Sequence, residues 1–139
     1  MGPVTTIRGG CLCRAVGYRI DGPVSRMSHC HCSMCRKAHG SAVGTYVEAL
    51  ATDFAWTRGE DALGRHVSSP GVTRSFCSRC GSPLQWLSAR RAQHVGIAAG
   101  SLDDDPGIRP SMHLYTDSRA PWDTLPDDGL PRHPAGSGG

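Results

Sequence analysis

The chain has 139 residues and a formal charge of +3, with 18 glycines, 10 prolines, seven cysteines and 6% aromatic residues. That length suits one domain, and the composition suits a small, turn-rich β fold in which metal replaces part of the missing hydrophobic burial. It excludes a membrane-spanning helix, since no apolar run approaches roughly 18 residues, and residues 1–10 hold no apolar stretch of the secretory kind.

The first element follows a turn. Arg8-Gly-Gly-Cys-Leu-Cys13 brings Cys11 and Cys13 to one side, because residues i and i+2 of an extended stretch face the same way. Val16 to Ile20 alternates apolar and polar side chains and predicts a half-buried strand. Asp21-Gly22-Pro23 predicts a turn, and Val24 to His31 a second strand that leads into a cysteine loop. Within Ser28 to Gly40, Cys30, Cys32 and Cys35 stand at C-x-C-x-x-C spacing among His29, His31 and His39, with a turn of helix near Cys35–His39. Strands are expected over Ala42–Val47, Thr52–Thr57, Gly64–Ser68 and Val72–Phe76. Cys77-Ser-Arg-Cys80-Gly81 is a metal knuckle in which glycine supplies backbone freedom. Leu84–Leu87 and His94–Ala99 predict a hairpin around 88–93. An acidic, solvated loop at Asp103–Asp105 and a last strand at Ser111–Tyr115 follow. We read residues 1–125 as one domain. Residues 126–139, rich in Pro, Asp and Gly, are expected to be a disordered tail.

The cysteines divide as four plus three. Cys11, Cys13, Cys77 and Cys80 form a natural four-ligand set that ties the start of the chain to its middle. Cys30, Cys32 and Cys35 supply three ligands and leave the fourth open. Thiolates packed so tightly need a cation, and in a reducing cell that is usually Zn²⁺. A fourth ligand from His29, His31 or His39 would close this site and make it structural. An open position would admit water or substrate. A redox pair at Cys32–Cys35 is a further alternative. An odd cysteine count predicts reducing cytoplasm rather than a disulfide scaffold.

Charge adds little toward a polymer partner. Residues 1–99 carry 12 basic and 5 acidic side chains (+7), and residues 100–139 carry 3 and 7 (−4). Seven thiolates on two Zn²⁺ would bring the chain near neutral, and Lys37 is the one lysine, so no nucleic-acid surface is expected.

Three stretches carry a resemblance: Gly-Gly-Cys-Leu-Cys-Arg-Ala-Val, His-Cys-His-Cys-Ser-Met-Cys-Arg-Lys-Ala-His-Gly, and Phe-Cys-Ser-Arg-Cys-Gly-Ser-Pro-Leu. Together with Gly-Ser-Leu-Asp-Asp-Asp-Pro, Arg-Pro-Ser-Met-His and Ala-Pro-Trp, they resemble the glutathione-dependent formaldehyde-activating enzyme family, also called the Gfa-like or CENP-V group. The resemblance implies a mainly β, Mss4-like fold. It implies a structural zinc on Cys11, Cys13, Cys77 and Cys80, and a catalytic-type zinc on Cys30, Cys32 and Cys35; an open three-thiolate site loses zinc more readily than a closed four-thiolate one, so the second zinc is expected to be the labile one. The implied activity is that of a carbon–sulfur lyase or synthase acting on a small thiol adduct, such as S-hydroxymethylglutathione formed from glutathione and formaldehyde. The alternative is a non-catalytic zinc-binding interaction module, since the Mss4-like fold also serves partner binding.

Among the other side chains, His39 is the candidate catalytic proton carrier, being close in sequence to Cys35. Arg36 and Lys37 are candidates to receive a substrate carboxylate. Tyr46, Trp56 and Trp86 could line a pocket or pack in the core.

Overall fold

The computed structural model describes residues 6–136. Residues 1–5, part of the stretch read as lacking a secretory signal, and the last three residues of the expected tail lie outside the described residues. Strands dominate, in two sheets. The smaller sheet orders β1 (Thr6–Gly10), β2 (Gly17–Asp21) and β5 (Phe54–Arg58) as β1-β2-β5. The larger sheet comprises β3 (Arg26–Cys30), β4 (Gly44–Leu50), β6 (Leu63–Ser69), β7 (Val72–Cys77), β8 (Pro83–Ser88), β9 (His94–Ala98) and β10 (His113–Leu114). Its order is β10-β3-β4-β9-β8-β7-β6.

Alternation decides which face each strand buries. Tyr18 and Ile20 of β2 point inward while Arg19 is exposed. They meet Val47 and Ala49 of β4, Leu84 of β8 and Val95 and Ile97 of β9 in one core between the sheets. Phe54 stacks on Tyr18 at 5.2 Å and Trp56 meets it edge-on at 6.1 Å, so Trp56 belongs to the core. Gly9 is obligatory beside this aromatic group: a β-carbon there would lie 2.3 Å from the Tyr18 hydroxyl. The opposite face of the large sheet carries Ser28 and Cys30 of β3, Tyr46 and Glu48 of β4, Arg74 of β7 and Trp86 of β8, all lining one cavity.

The expected strands and hairpin are present, with shifted ends. The strand expected from Thr52 starts at Phe54 after a 3-10 turn over Ala51–Asp53, and the hairpin loop contains another over Ala89–Arg91. The last strand shrinks to two residues because the chain leaves the extended region at Tyr115, φ 56°; those two residues pair on one side with β3 in parallel and on the other with the C-terminal segment. That segment, expected from composition to be a tail, runs beside β10 in its described part. His113 N–H donates to Pro131 O at 2.9 Å, His133 N–H to His113 O at 2.9 Å, and Tyr115 N–H to Ala135 O at 3.1 Å.

The one α-helix among the described residues, α1 (Ser33–His39), starts where β3 delivers the chain. Cys32 is its N-cap: the sulfur accepts the Cys35 N–H at 3.3 Å. Gly40 ends it in the left-handed region, φ 59°, returning its N–H to Arg36 O. The whole cysteine loop is thus a strand end plus one capped helical stretch.

Candidate metal centre and cavity

All seven cysteines are free thiols, and they form two groups in which every sulfur lies within 4.8 Å of the others. Cys11, Cys13, Cys77 and Cys80 form one group, Cys30, Cys32 and Cys35 the second. In the first, Cys11 and Cys13 sulfurs are 3.6 Å apart and Cys13 and Cys77 sulfurs 3.7 Å. Four sulfurs at about 2.3 Å from a tetrahedral zinc would be about 3.8 Å apart, so the donor set fits such an ion. Backbone donors support it: Val16 N–H reaches Cys11 Sγ at 3.2 Å and Arg79 N–H reaches Cys77 Sγ at 3.4 Å.

The second group has the chemistry of a cation site. Cys30 is held far above the ordinary thiol range, first by hydrogen bonding to Cys32 and Cys35 and then by burial. Cys32 is correspondingly pulled down, first by the hydrogen bonds from Cys30 and Cys35 and also by the Cys35 N–H and the Arg74 charge. Three sulfurs this close cannot all ionise without a positive ion among them.

The three nearby histidines are each engaged elsewhere, and among the described residues no histidine or carboxylate joins the three sulfurs. His29 Nδ1 is 2.7 Å from Thr45 Oγ1. His31 Nε2 is 2.9 Å from His113 Nδ1, and His113 Nε2 is 2.8 Å from the Asp128 carboxylate. The carboxylate can only accept, so His113 gives it the Nε2 hydrogen and turns its Nδ1 lone pair toward His31 Nε2–H. In a C-x-C strand end, the residue between the cysteines faces the other way, which is why His31 points into this buried chain rather than at the sulfurs. His39 Nε2 is 2.8 Å from the Tyr46 hydroxyl, on the helix face that packs over Gly44.

The sulfurs of Cys30, Cys32 and Cys35 open onto a cavity of about 350 Å³. Arg74 projects into it from β7. Its Nε donates to Ser68 Oγ at 3.0 Å, Nη1 to the Tyr46 hydroxyl at 2.9 Å and Nη2 to Cys35 Sγ at 3.6 Å. Arginine has five N–H hydrogens, so two remain for a ligand. Because Arg74 only donates, Tyr46 accepts from it and keeps its own hydrogen for His39 Nε2. Burial, then the Arg74 charge, lowers the His39 pKa and keeps the ring neutral, while burial raises that of Tyr46. The result is an ordered run, Cys35–Arg74–Tyr46–His39, that starts at the sulfurs. At the other end of the cavity Glu48 pairs with Arg91, and His94 Nε2 lies 3.8 Å from the same carboxylate oxygen.

The sequence placed the cysteines together and offered His39 as proton carrier and Tyr46 as a pocket residue, but it did not single out Arg74. Arg36 and Lys37, the expected carboxylate receivers, do not line the cavity; Arg36 Nε bonds the His31 carbonyl at 3.4 Å. The cavity arginines are Arg26, Arg74 and Arg91. Arg74 had one signal: it shares a strand face with Val72, where a charge is out of place unless it has a task. Tyr46 and Trp86 line the cavity, unlike Trp56. Asp104 and Asp105 of the acidic loop pair with Arg8 and Arg109 at the surface.

Known proteins resemble this chain in sequence and fold. A Halomonas elongata protein named "Putative glutathione-dependent formaldehyde-activating enzyme" is 31% identical over 126 residues, covering 84% of this chain and 78% of its own. A Schizosaccharomyces pombe protein named an uncharacterized lyase is 29% identical over 76 residues, covering 55% of this chain and 53% of that one. A Rhodobacter sphaeroides protein of known crystal structure has the same fold, with a TM-score of 0.60 at 22% identity, covering 74% of this chain and 91% of that chain. The family described as glutathione-dependent formaldehyde-activating enzyme matches residues 6–118, which contain all seven cysteines and the mainly β, Mss4-like fold expected of it. By that match, the chain belongs to the glutathione-dependent formaldehyde-activating enzyme family.

Proposed function

We propose that the chain is a zinc-dependent carbon–sulfur lyase or synthase of the reducing cytoplasm, interconverting a small thiol adduct such as S-hydroxymethylglutathione with its thiol and aldehyde. The observation that supports this best is the three-sulfur group at the floor of a cavity, with each neighbouring histidine turned elsewhere. A metal used only to brace an interaction module has no need of such an opening. Cys30, Cys32 and Cys35 would hold the catalytic-type zinc, and Cys11, Cys13, Cys77 and Cys80 the structural one. When bound at three thiolates, zinc supplies an exchangeable place for a soft sulfur or a developing oxygen charge.

The reaction is R–S–CH2–OH in equilibrium with R–SH and CH2=O. In cleavage, the carbon–sulfur bond breaks, the hydroxyl proton leaves as the carbonyl forms, and the sulfur departs as thiolate before taking a proton. Arg74 holds the substrate oxygen with its two spare N–H groups, beside Cys35. Tyr46 takes the hydroxyl proton while passing its own to His39 Nε2, which makes His39 the terminal base without direct access to substrate. Val72, Trp86 and Leu114 line the cavity with apolar surface and keep water from the reacting atoms.

Exchange between free formaldehyde and its glutathione adduct, followed by NMR with carbon-13 formaldehyde, tests the proposal. Wild-type protein accelerates exchange for glutathione or another small thiol, and Cys35→Ser does not. A two-metal wild-type protein that accelerates none of a panel of thiols would remove the enzyme reading. Arg74→Gln is expected to lower kcat by about 10²-fold, the usual cost of one oxyanion donor, with metal content unchanged. Arg74→Lys should restore little, because an ammonium cannot serve Ser68, Tyr46 and a substrate oxygen in one plane.

A further inference from the structure

One residue that lines the cavity, Gly136, comes from chain that the family match does not include, and it lies against Tyr115, which the match does include. The match ends at residue 118, yet residues 127–136 fold back against β10. They meet the cavity at Tyr115. This tyrosine occupies the left-handed region, φ 56° and ψ 43°, which a non-glycine residue adopts only when its surroundings impose it. The returning segment imposes it here. Tyr115 N–H donates to Ala135 O at 3.1 Å, and Thr116 N–H to His133 O at 3.0 Å. A β-carbon on Gly136 would lie 3.2 Å from the Tyr115 hydroxyl, so the segment's backbone lies against the end of the ring. Leu114, Tyr115 and Gly136 all line the cavity. The segment is pinned from behind by Asp128, whose carboxylate holds the buried His113 at 2.8 Å. The cavity volume, about 350 Å³, is at the low end for pockets that hold small molecules, roughly 300–1,000 Å³.

We infer that Tyr115, set in place by residues 127–136, is a specificity-determining residue that admits thiol adducts with a slender group on sulfur and rejects wide ones. The inference rests on the proposed reading of the site as one for thiol adducts. It assigns to the returning segment a task in substrate choice: the strained tyrosine narrows the entrance, and the Asp128–His113 bond keeps it narrow.

The test compares wild type with Tyr115→Gly, which removes the ring and suits the left-handed backbone, and with Asp128→Ala, which frees the segment. The first readout is kcat/KM for the hydroxymethyl adducts of 2-mercaptoethanol and of 4-tert-butylbenzyl mercaptan. The wide-to-slender ratio should rise at least about tenfold in Tyr115→Gly and by a smaller factor in Asp128→Ala, as expected when a few methylenes of girth gain room. An unchanged ratio overturns the inference. The second readout needs no turnover: binding of 1-anilinonaphthalene-8-sulfonate, a wide apolar anion suited to an arginine-lined apolar cavity. It should tighten at least about tenfold in Tyr115→Gly with the near-ultraviolet circular dichroism unchanged. Tighter dye binding without turnover of any adduct would defeat the lyase reading and uphold the narrow wall. Equal dye affinity in both proteins would defeat the wall whatever the turnover.

Discussion

Cys32→Ser is expected to halve the metal content of the purified chain, from two zinc ions to one, while the protein stays folded. The substitution sits at the N-cap of α1, where serine caps at least as well as cysteine, so the helix start survives. Cys32 is also the least buried of its three sulfurs, and no core contact depends on it. What is lost is a thiolate. A serine hydroxyl ionises far less readily and leaves two sulfurs, too few to hold zinc against dilution. Turnover should fall by about 10³-fold or more, because the reacting atoms lose the group that orients them. Elemental analysis of protein purified under reducing conditions without chelator, together with circular dichroism and the formaldehyde exchange assay, reads all three outcomes. One zinc per chain in wild type, unchanged by the substitution, would show that the central cysteines hold no metal in the isolated protein, and the enzyme reading would lose its main support.

The sites differ in what the sequence could disclose. Ligand cysteines come in short local spacings, C-x-C and C-x-x-C, and local spacing survives without knowledge of the fold. Strand alternation and the turn glycines did the same for β2, β7 and the hairpin. The side chains around the three sulfurs are brought in by strand order instead. Arg74 comes from β7, Tyr46 from β4 and Glu48 from β4 opposite Arg91, and no local pattern announces that these strands share a cavity face. His39 shows the limit of nearness in sequence. It stands four residues after Cys35, on the same helical face, yet its Nε2 is bonded to Tyr46, and among the described residues only Tyr46 and Arg74 link it to the sulfurs. The C-terminal segment is the opposite case. Its Pro, Asp and Gly content predicts little core, and it buries little. Its order comes from backbone hydrogen bonds to β10 and one buried histidine, which composition does not register.

Cys77→Ser is expected to abolish the folded state rather than the reaction alone. Cys77 is fully buried, closes β7, and packs in the core with Cys11 and Leu84. Its sulfur meets that of Cys13, 64 positions earlier, so an ion held between them would fix the small sheet to the large one. Structural zinc contributes on the order of 10–16 kcal/mol of apparent binding free energy in small domains. The whole stability of a domain is only about 5–15 kcal/mol. The serine variant should therefore lack a cooperative thermal transition by circular dichroism and accumulate as insoluble protein. Chelators should separate the two sites in wild type. A weak one should remove a single zinc from the open three-sulfur site with no change in circular dichroism, and a strong one should remove the second with loss of the β signal. If Cys77→Ser instead melted cooperatively near the wild-type temperature, the core between the sheets would be sufficient by itself. The four-cysteine site would then be an ornament of the fold, and the division of the seven cysteines into a structural and a working set would have to be redrawn.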